Sequence, residues 1–228
     1  MREIWFAFVA LSVLLMGSSG YAGSAAAPGL PAPNAHAPNA HAPILAADTG
    51  AALAVTPDDR ILGKPDAPIT IVEYASLNCP HCAHFSLDVL PQLKQKWIDS
   101  GKAKLVFRDF PLNEEALRAA MITRCAPPDR FFAFVDAFMK SQAGWVGSRD
   151  YRDTLARLAK LGGMTQKQFD DCLADKGLED KIVASRLVAD QQLGVDSTPT
   201  FFIDGRKYTG DPSFAAMDKA MSELSPKS

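Results

Sequence analysis

The stretch Ile69-Thr-Ile-Val-Glu-Tyr-Ala-Ser-Leu-Asn-Cys-Pro-His-Cys82 constrains this chain most, because an apolar strand signal runs straight into a Cys-x-x-Cys that opens a helix. Cys79 stands at the N-cap position and Pro80 at the first helical position, where a missing N–H costs nothing. The next amides, those of His81 and Cys82, point back at the N-cap side chain, which is ordinarily a Ser or Asp oxygen and here is sulfur. Those amides and the helix dipole favour an anion, so the spacing predicts a Cys79 thiol that ionises below the roughly 8.5 of free cysteine. A stabilised thiolate stabilises the reduced pair, and the matching disulfide then takes electrons readily. The rival readings are a structural disulfide and half of a zinc site. Zinc would need further ligands, and the nearby candidates are His81, which lies between the two sulfurs, and His84, which reads as a helix-surface residue. Redox chemistry is the reading adopted, with His81 donating toward the thiolate.

The 228 residues allow one domain of good size or one domain with an insertion, and a hydrophobic content of 47% is ample for a core. The formal charge of -2, with no basic cluster, argues against a nucleic-acid partner. Arg2, an apolar run from Ile4 to Met16 and the small residues up to Ala22 have the form of a secretory signal over residues 1–22. The apolar run falls short of the roughly 20 residues that span a bilayer, which favours cleavage over an uncleaved anchor. Secretion places the cysteines where disulfides form. From Gly23 to Ala47 there is no charged residue, prolines recur, and Ala-Pro-Asn-Ala-His occurs twice in tandem. This composition predicts a disordered tether over 23–57, with order beginning near Thr56. His36 and His41 read as solvated linker residues in preference to metal ligands.

Arg60-Ile-Leu offers an edge strand before the central one. In that central strand Ile69, Ile71, Glu73 and Ala75 share a face, so Glu73 is a carboxylate among apolar neighbours. Burying it unpaired costs several kcal/mol unless it stays protonated. The helix after the cysteines runs to about Ser100 with a buried stripe of Phe85, Val89, Leu93 and Trp97, and Pro91 should kink it. Lys104–Phe110 reads as the next strand, which makes a βαβ unit. Helical patterns follow at 114–125, 129–142, 151–161, 165–174 and 178–193, separated by Pro and Gly. Strand signal returns at Thr200–Asp204, with a hairpin turn at Asp204-Gly205 and a last helix at Pro212–Leu224. A helical block at about 113–190 is thus inserted into a small α/β domain.

With Glu73, Cys79-Pro-His-Cys82 and Ser197-Thr-Pro-Thr200 together, residues 58–225 resemble the DsbA family, periplasmic thiol–disulfide oxidoreductases. The resemblance implies an α/β, thioredoxin-like fold with an inserted all-helical domain, over 58–228. It implies Cys79 as nucleophile beside Pro80 and Cys82 as the buried resolving thiol. Pro199 would be the cis-proline facing the disulfide, with Thr198 presenting its backbone to substrate. Glu73, protonated and near Cys82, would relay that thiol's proton. The best-known DsbA oxidases carry an aliphatic residue where this chain has Thr198, and a Thr there also occurs among thioredoxin-fold isomerases, so both directions of electron flow stay open. Cys125 and Cys172 are either two buried small hydrophobes or, in an oxidising compartment, a structural disulfide of the kind some DsbA relatives carry. The implied protein is a periplasmic, monomeric donor of disulfides to folding secreted proteins, reoxidised by a membrane partner of the DsbB type and needing no cofactor. Its rivals are an isomerase or reductase of the same fold, and a redox-inactive binding module or chaperone. Dedicated isomerases usually add an N-terminal dimerisation domain, for which residues 23–57 are too poor in apolar side chains.

Overall fold

A strand that is apolar on both faces must be covered on both, and β2 (Ile69–Ala75) is buried at every position except the half-buried Thr70. The computed structural model describes residues 49–224; the signal segment 1–22 and the tether up to residue 48 lie outside the described residues. The strands β1 (Arg60–Leu62), β2, β3 (Ala103–Asp109), β4 (Thr200–Ile203) and β5 (Arg206–Tyr208) form one sheet in the order β1-β3-β2-β4-β5. β2 and β3 run parallel, and the other neighbours pair antiparallel. The parallel pair is joined by the helix that starts after Cys79, and the chain has a thioredoxin fold with an inserted helical domain.

That connecting helix, α2 (residues 80–98), alternates α-helical turns at Pro80–His84 and Leu90–Leu93 with π-helical turns at Phe85–Val89 and Lys94–Ile98. Pro91, which is expected to kink the helix, follows the first wide turn after Leu90, and its missing N–H removes one ordinary hydrogen bond there. The stripe Phe85, Val89, Leu93 and Trp97 is buried against Ile69, Ile71, Leu105, Phe201 and Ile203. The last helix, residues Phe214–Leu224, adds Met217 and Met221 to the same layer.

Five helices lie between β3 and β4: α3 (Glu114–Cys125), α4 (Phe131–Lys140), α5 (Tyr151–Leu161), α6 (Gln166–Ala174) and α7 (Lys176–Leu193). Asn113 caps α3 by accepting from Ala116 N at 3.0 Å, and Thr165 with Gln168 forms a capping box on α6. Gly177, expected to separate helices, falls inside the first turn of α7, because Asp175 caps that helix two residues earlier than its apolar pattern begins. Cys125 at the end of α3 and Cys172 of α6 are joined by a disulfide across a sequence separation of 47. On the chain-entropy model a loop of that length stabilises by about 4 kcal/mol. The C-terminal half of α7 leaves the inserted block and lays Ala189 and Leu193 on the second face of the sheet, against Val72, Tyr74 and Phe202.

Order begins earlier than the composition predicts. The tether expected to run to residue 57 gives way to a short helix, α1 (Thr49–Leu53), whose Leu53 is buried in that second layer. The cause is Arg108 of β3. Its guanidinium donates to Ala52 O and Ala54 O, both at 2.7 Å, to the two Asp59 carboxylate oxygens, both at 2.9 Å, and to Tyr74 Oη at 2.9 Å. Every N–H of the fork is used, and the segment's carbonyls are held by a charge-assisted contact that no local pattern announces. Arg108→Ala leaves the Asp59 carboxylate, 6% exposed, without its cation. We expect a loss of about 3–5 kcal/mol in urea unfolding, with new protease cleavage between residues 49 and 59; unchanged unfolding and cleavage would show that the anchor lies elsewhere.

Candidate active site

The end of β2 delivers the chain through Ser76–Asn78 to Cys79, which takes an extended N-cap conformation (φ −83, ψ 123) with Pro80 following at the start of α2. The turn is fixed by polar contacts: Cys79 N donates to Ser76 O at 3.1 Å, Ser76 Oγ to Asn78 Oδ1 at 2.7 Å, and Leu112 N to Ser76 Oγ at 3.3 Å. Gln142, on the 3-10 turn Gln142–Gly144 of the inserted block, donates its side-chain amide to Leu77 O at 2.7 Å and Cys79 O at 3.0 Å. Gln142 carries no sequence signal for this role, because a polar residue at the end of the helical pattern 129–142 reads as solvent-facing.

Cys79 and Cys82 are both free thiols, 5% and 0% exposed. The Cys79 thiol is lowered to about 5: the Cys82 S–H donates to its sulfur, the Thr198 side chain and the amides of Cys82 and His81 add to this, and burial opposes it. The Cys82 thiol is pushed upward by burial first, then by giving its proton to Cys79 and by the negative field of Glu73. One sulfur of the dyad is therefore held as the anion and the other as the acid. What His81 contributes is its backbone amide; its ring, expected to donate toward the thiolate, is exposed to solvent, as is Pro80. His84 is also exposed and lies 2.8 Å from Asp88 on the helix surface.

β4 brings the third strand end to the same place. The Thr198–Pro199 bond is cis, and Cys79 Sγ donates to Thr198 O at 3.2 Å. With the thiol in that state, Thr198 Oγ1 is buried without a partner among the described residues. On ionisation the sulfur can only accept, and the Thr198 hydroxyl is then the donor at hand.

Glu73 is 2% exposed and sits in register between Phe107 of β3 and Phe201 of β4, so no cation faces it along the sheet. Its Oε1 has no hydrogen-bond partner among the described residues. Burial, followed by the charge on Cys79, raises its carboxyl to about 8. It lines a cavity of about 200 Å³ together with Ser86, Leu90, Pro91, Lys94 and Asp136, beside the wide turns of α2. A larger cavity of about 420 Å³ lies away from the cysteines, under α7, where Arg108–Asp59 and Arg124–Asp109 are ion-paired. Those pairs explain its charged lining as structural. Among the described residues, no group of three His, Cys, Asp or Glu side chains converges as a metal site.

The thioredoxin family model matches residues 55–223. A protein of Rickettsia bellii described as a putative protein-disulfide oxidoreductase is 34% identical over 177 residues, covering 76% of this chain and 68% of the relative. The crystal structure of α-DsbA1 from Wolbachia pipientis is 35% identical and superposes with a TM-score of 0.73, covering 77% of this chain and 95% of that one. A protein-disulfide isomerase from Novosphingobium aromaticivorans is 30% identical with a TM-score of 0.64, covering 73% and 97%.

Glu73 should be visible in stability. The folded state holds its proton up to about pH 8, whereas the unfolded chain gives it up near 4.5. Between those values the unfolded state binds fewer protons, so wild-type stability falls as pH rises, by up to about 1.4 kcal/mol per pH unit. Glu73→Gln should lack this fall, so that its advantage over wild type grows from pH 4.5 to 8 and is constant outside that window. A pH-independent difference in urea midpoints would contradict the neutral, buried acid.

Proposed function

The chain belongs to the DsbA family of thiol–disulfide oxidoreductases, and from that premise we propose that it donates the Cys79–Cys82 disulfide to the thiols of folding secreted proteins. The reading rests above all on the asymmetry of the dithiol, with Cys79 lowered to about 5 and Cys82 displaced the other way. A pair that is stabilised when reduced gives up its disulfide readily.

A substrate thiolate attacks Cys79 Sγ, the S–S bond breaks, and Cys82 leaves as a thiolate that takes the proton of Glu73. The mixed disulfide between substrate and Cys79 is then attacked by a second substrate thiolate. Cys79 leaves as an anion onto the amides of α2, and the substrate carries away the new bond. Two electrons pass from the substrate thiols to the cysteine pair. Glu73 recovers a proton through its cavity from solvent. Thr198 and Pro199 align the incoming chain by its backbone, as the family resemblance implies. The run backwards is chemically the same, with Glu73 taking the Cys82 proton so that this sulfur can attack and resolve the mixed disulfide.

The location is the periplasm, on the strength of the secretory form of residues 1–22, and reoxidation falls to a membrane partner of the DsbB type. Among the described residues no helix is long and apolar enough to cross a membrane. A monomer is the state this reading assigns, because residues 23–57 are too poor in apolar side chains to serve for dimerisation. The second reading, an isomerase kept reduced in the cell, is favoured by Thr198 before the cis-proline and by the name of the Novosphingobium relative.

Two measurements separate the readings. In the reduced protein, Cys79 adds stability that is complete above the unfolded value near 9 and gone below about 5. The reduced form should therefore outlast the oxidised form in urea at pH 7, with the gap closing as pH falls toward 5. Equal midpoints at pH 7 would count against a strong oxidant. Cys82→Ser should trap Cys79 on its partners as mixed disulfides. A donor collects newly secreted chains with free thiols and is itself found mostly oxidised, whereas an isomerase collects chains with misplaced disulfides and is found mostly reduced. Glu73→Gln should slow the escape of Cys82 by about 100-fold, the scale of a lost general acid, while leaving the Cys79 alkylation profile close to wild type.

A further inference from the structure

The contact that binds the inserted block to the redox turn is made by a single side chain. Gln142 Nε2 has two N–H groups, and the two carbonyls within their reach, Leu77 O at 2.7 Å and Cys79 O at 3.0 Å, bracket Asn78. Met139 Sδ lies 3.5 Å from the same nitrogen and closes its remaining side. Cys79 O already accepts Ala83 N at 3.1 Å, the first hydrogen bond of α2, so two donors of different origin meet on one carbonyl.

The support behind Gln142 is rigid. Its own carbonyl accepts Trp145 N at 3.1 Å and Val146 N at 2.9 Å. Trp145 is fully buried and donates Nε1 to Phe138 O at 3.1 Å. Ser141 N is shared between Ala137 O and Phe138 O at 3.1 and 3.2 Å. A side chain held this way fixes the plane of the Cys79–Pro80 peptide, and that plane sets where the Cys79 sulfur points. The amides of His81 and Cys82 stabilise the thiolate only while the sulfur stays aimed at them, since hydrogen bonds weaken steeply with misalignment.

We propose that Gln142 is a positioning residue for the redox sulfur, acting through the Leu77 and Cys79 carbonyls to hold Cys79 Sγ on the N-terminus of α2. This rests on the reading of Cys79 as the thiolate-forming sulfur. It makes the inserted block part of the device that sets oxidising strength, in addition to its role as cover. An ordinary tertiary hydrogen bond would add stability alone; a positioning bond also moves the thiolate.

The test uses Gln142→Met, which keeps shape and loses both donors, and Gln142→Glu, whose carboxylate faces two carbonyls and lies on the thiolate side. Cys79 ionisation is followed by ultraviolet thiolate absorbance and by the pH dependence of alkylation, and oxidising strength by equilibration with glutathione. Gln142→Met should raise the Cys79 midpoint by about half a pH unit or more and shift the glutathione equilibrium at least threefold toward a weaker oxidant. Gln142→Glu should raise it further at neutral pH than Gln142→Met does. Variants that lose stability while keeping the wild-type thiolate midpoint and glutathione equilibrium would overturn the proposal. If Gln142→Met does not fold, Gln142→Asn, whose amide stops one methylene short, is measured beside Gln142→Glu against the same criterion. Wild-type Cys79 titrating like a free cysteine would instead remove the thiolate reading itself, an outcome distinct from unshifted variants on a low wild-type midpoint.

Discussion

An ionised sulfur at the start of a helix is stabilised only while it is held against the amides and water is kept away, and most of this fold meets one of those two needs. β2 ends at Ala75 and releases the chain into the turn that carries Cys79, while β4 begins just after the cis Thr198–Pro199 bond that overlies it. The inserted helices supply the rest of the cover, since Cys79, Cys82 and Ala83 belong to the same buried cluster as Phe131, Phe138 and Trp145. Low polarity around a charge acts in both directions. It strengthens each donor and raises the cost of the charge itself. At Cys79 the donors prevail; at Cys82, buried deeper and left to donate its own proton, the cost prevails.

The central strands show how finely the sheet sorts charge. Glu73 and Arg108 lie one step apart in register on neighbouring strands, since Glu73 pairs with Phe107 and Tyr74 with Arg108. Period-two alternation sends them to opposite faces. On one face Arg108 satisfies every donor with Asp59, Tyr74 and the carbonyls of the entering chain. On the other face Glu73 meets Phe107, Phe201 and a cavity whose lysine, Lys94, is paired with Asp99. A slip of one residue would put the two groups' surroundings in exchange, so the same register that builds the core also leaves Glu73 protonated near neutral pH.

Much of this was legible in the residues. Pro80 after Cys79 marks a helix start, the stripe Phe85, Val89, Leu93 and Trp97 marks its buried side, and the parity of Ile69, Ile71 and Glu73 marks an acid in the core. What local pattern could not carry was anything settled by a distant partner. Arg108 orders residues 49–54, which read as tether; Asp175 draws Gly177 into a helix; Gln142 reaches back 63 positions to Cys79. His81 is a different case. Its place between the cysteines suggests a ring acting on sulfur; its backbone amide also reaches Cys79, and the residue is exposed at the helix start.

The size of the thiolate effect bears on how far it can account for a donor. A thiol moved from 9.0 to about 5 is almost wholly ionised at pH 7, where an unshifted one is almost wholly protonated. Only the part of the shift below pH 7 counts toward stabilising the reduced form, which is about 3 kcal/mol. For a two-electron couple that corresponds to about 60 mV. This is a substantial fraction of the span between reducing and oxidising members of the thioredoxin fold, though smaller than the whole of it. Other groups around the sulfur also shift the balance between thiol and thiolate. The Thr198 carbonyl 3.2 Å from the sulfur is one such group, since it repels an anion and accepts from a thiol. It therefore opposes the amides of α2, and the balance between these backbone groups contributes to how strongly the reduced pair is stabilised.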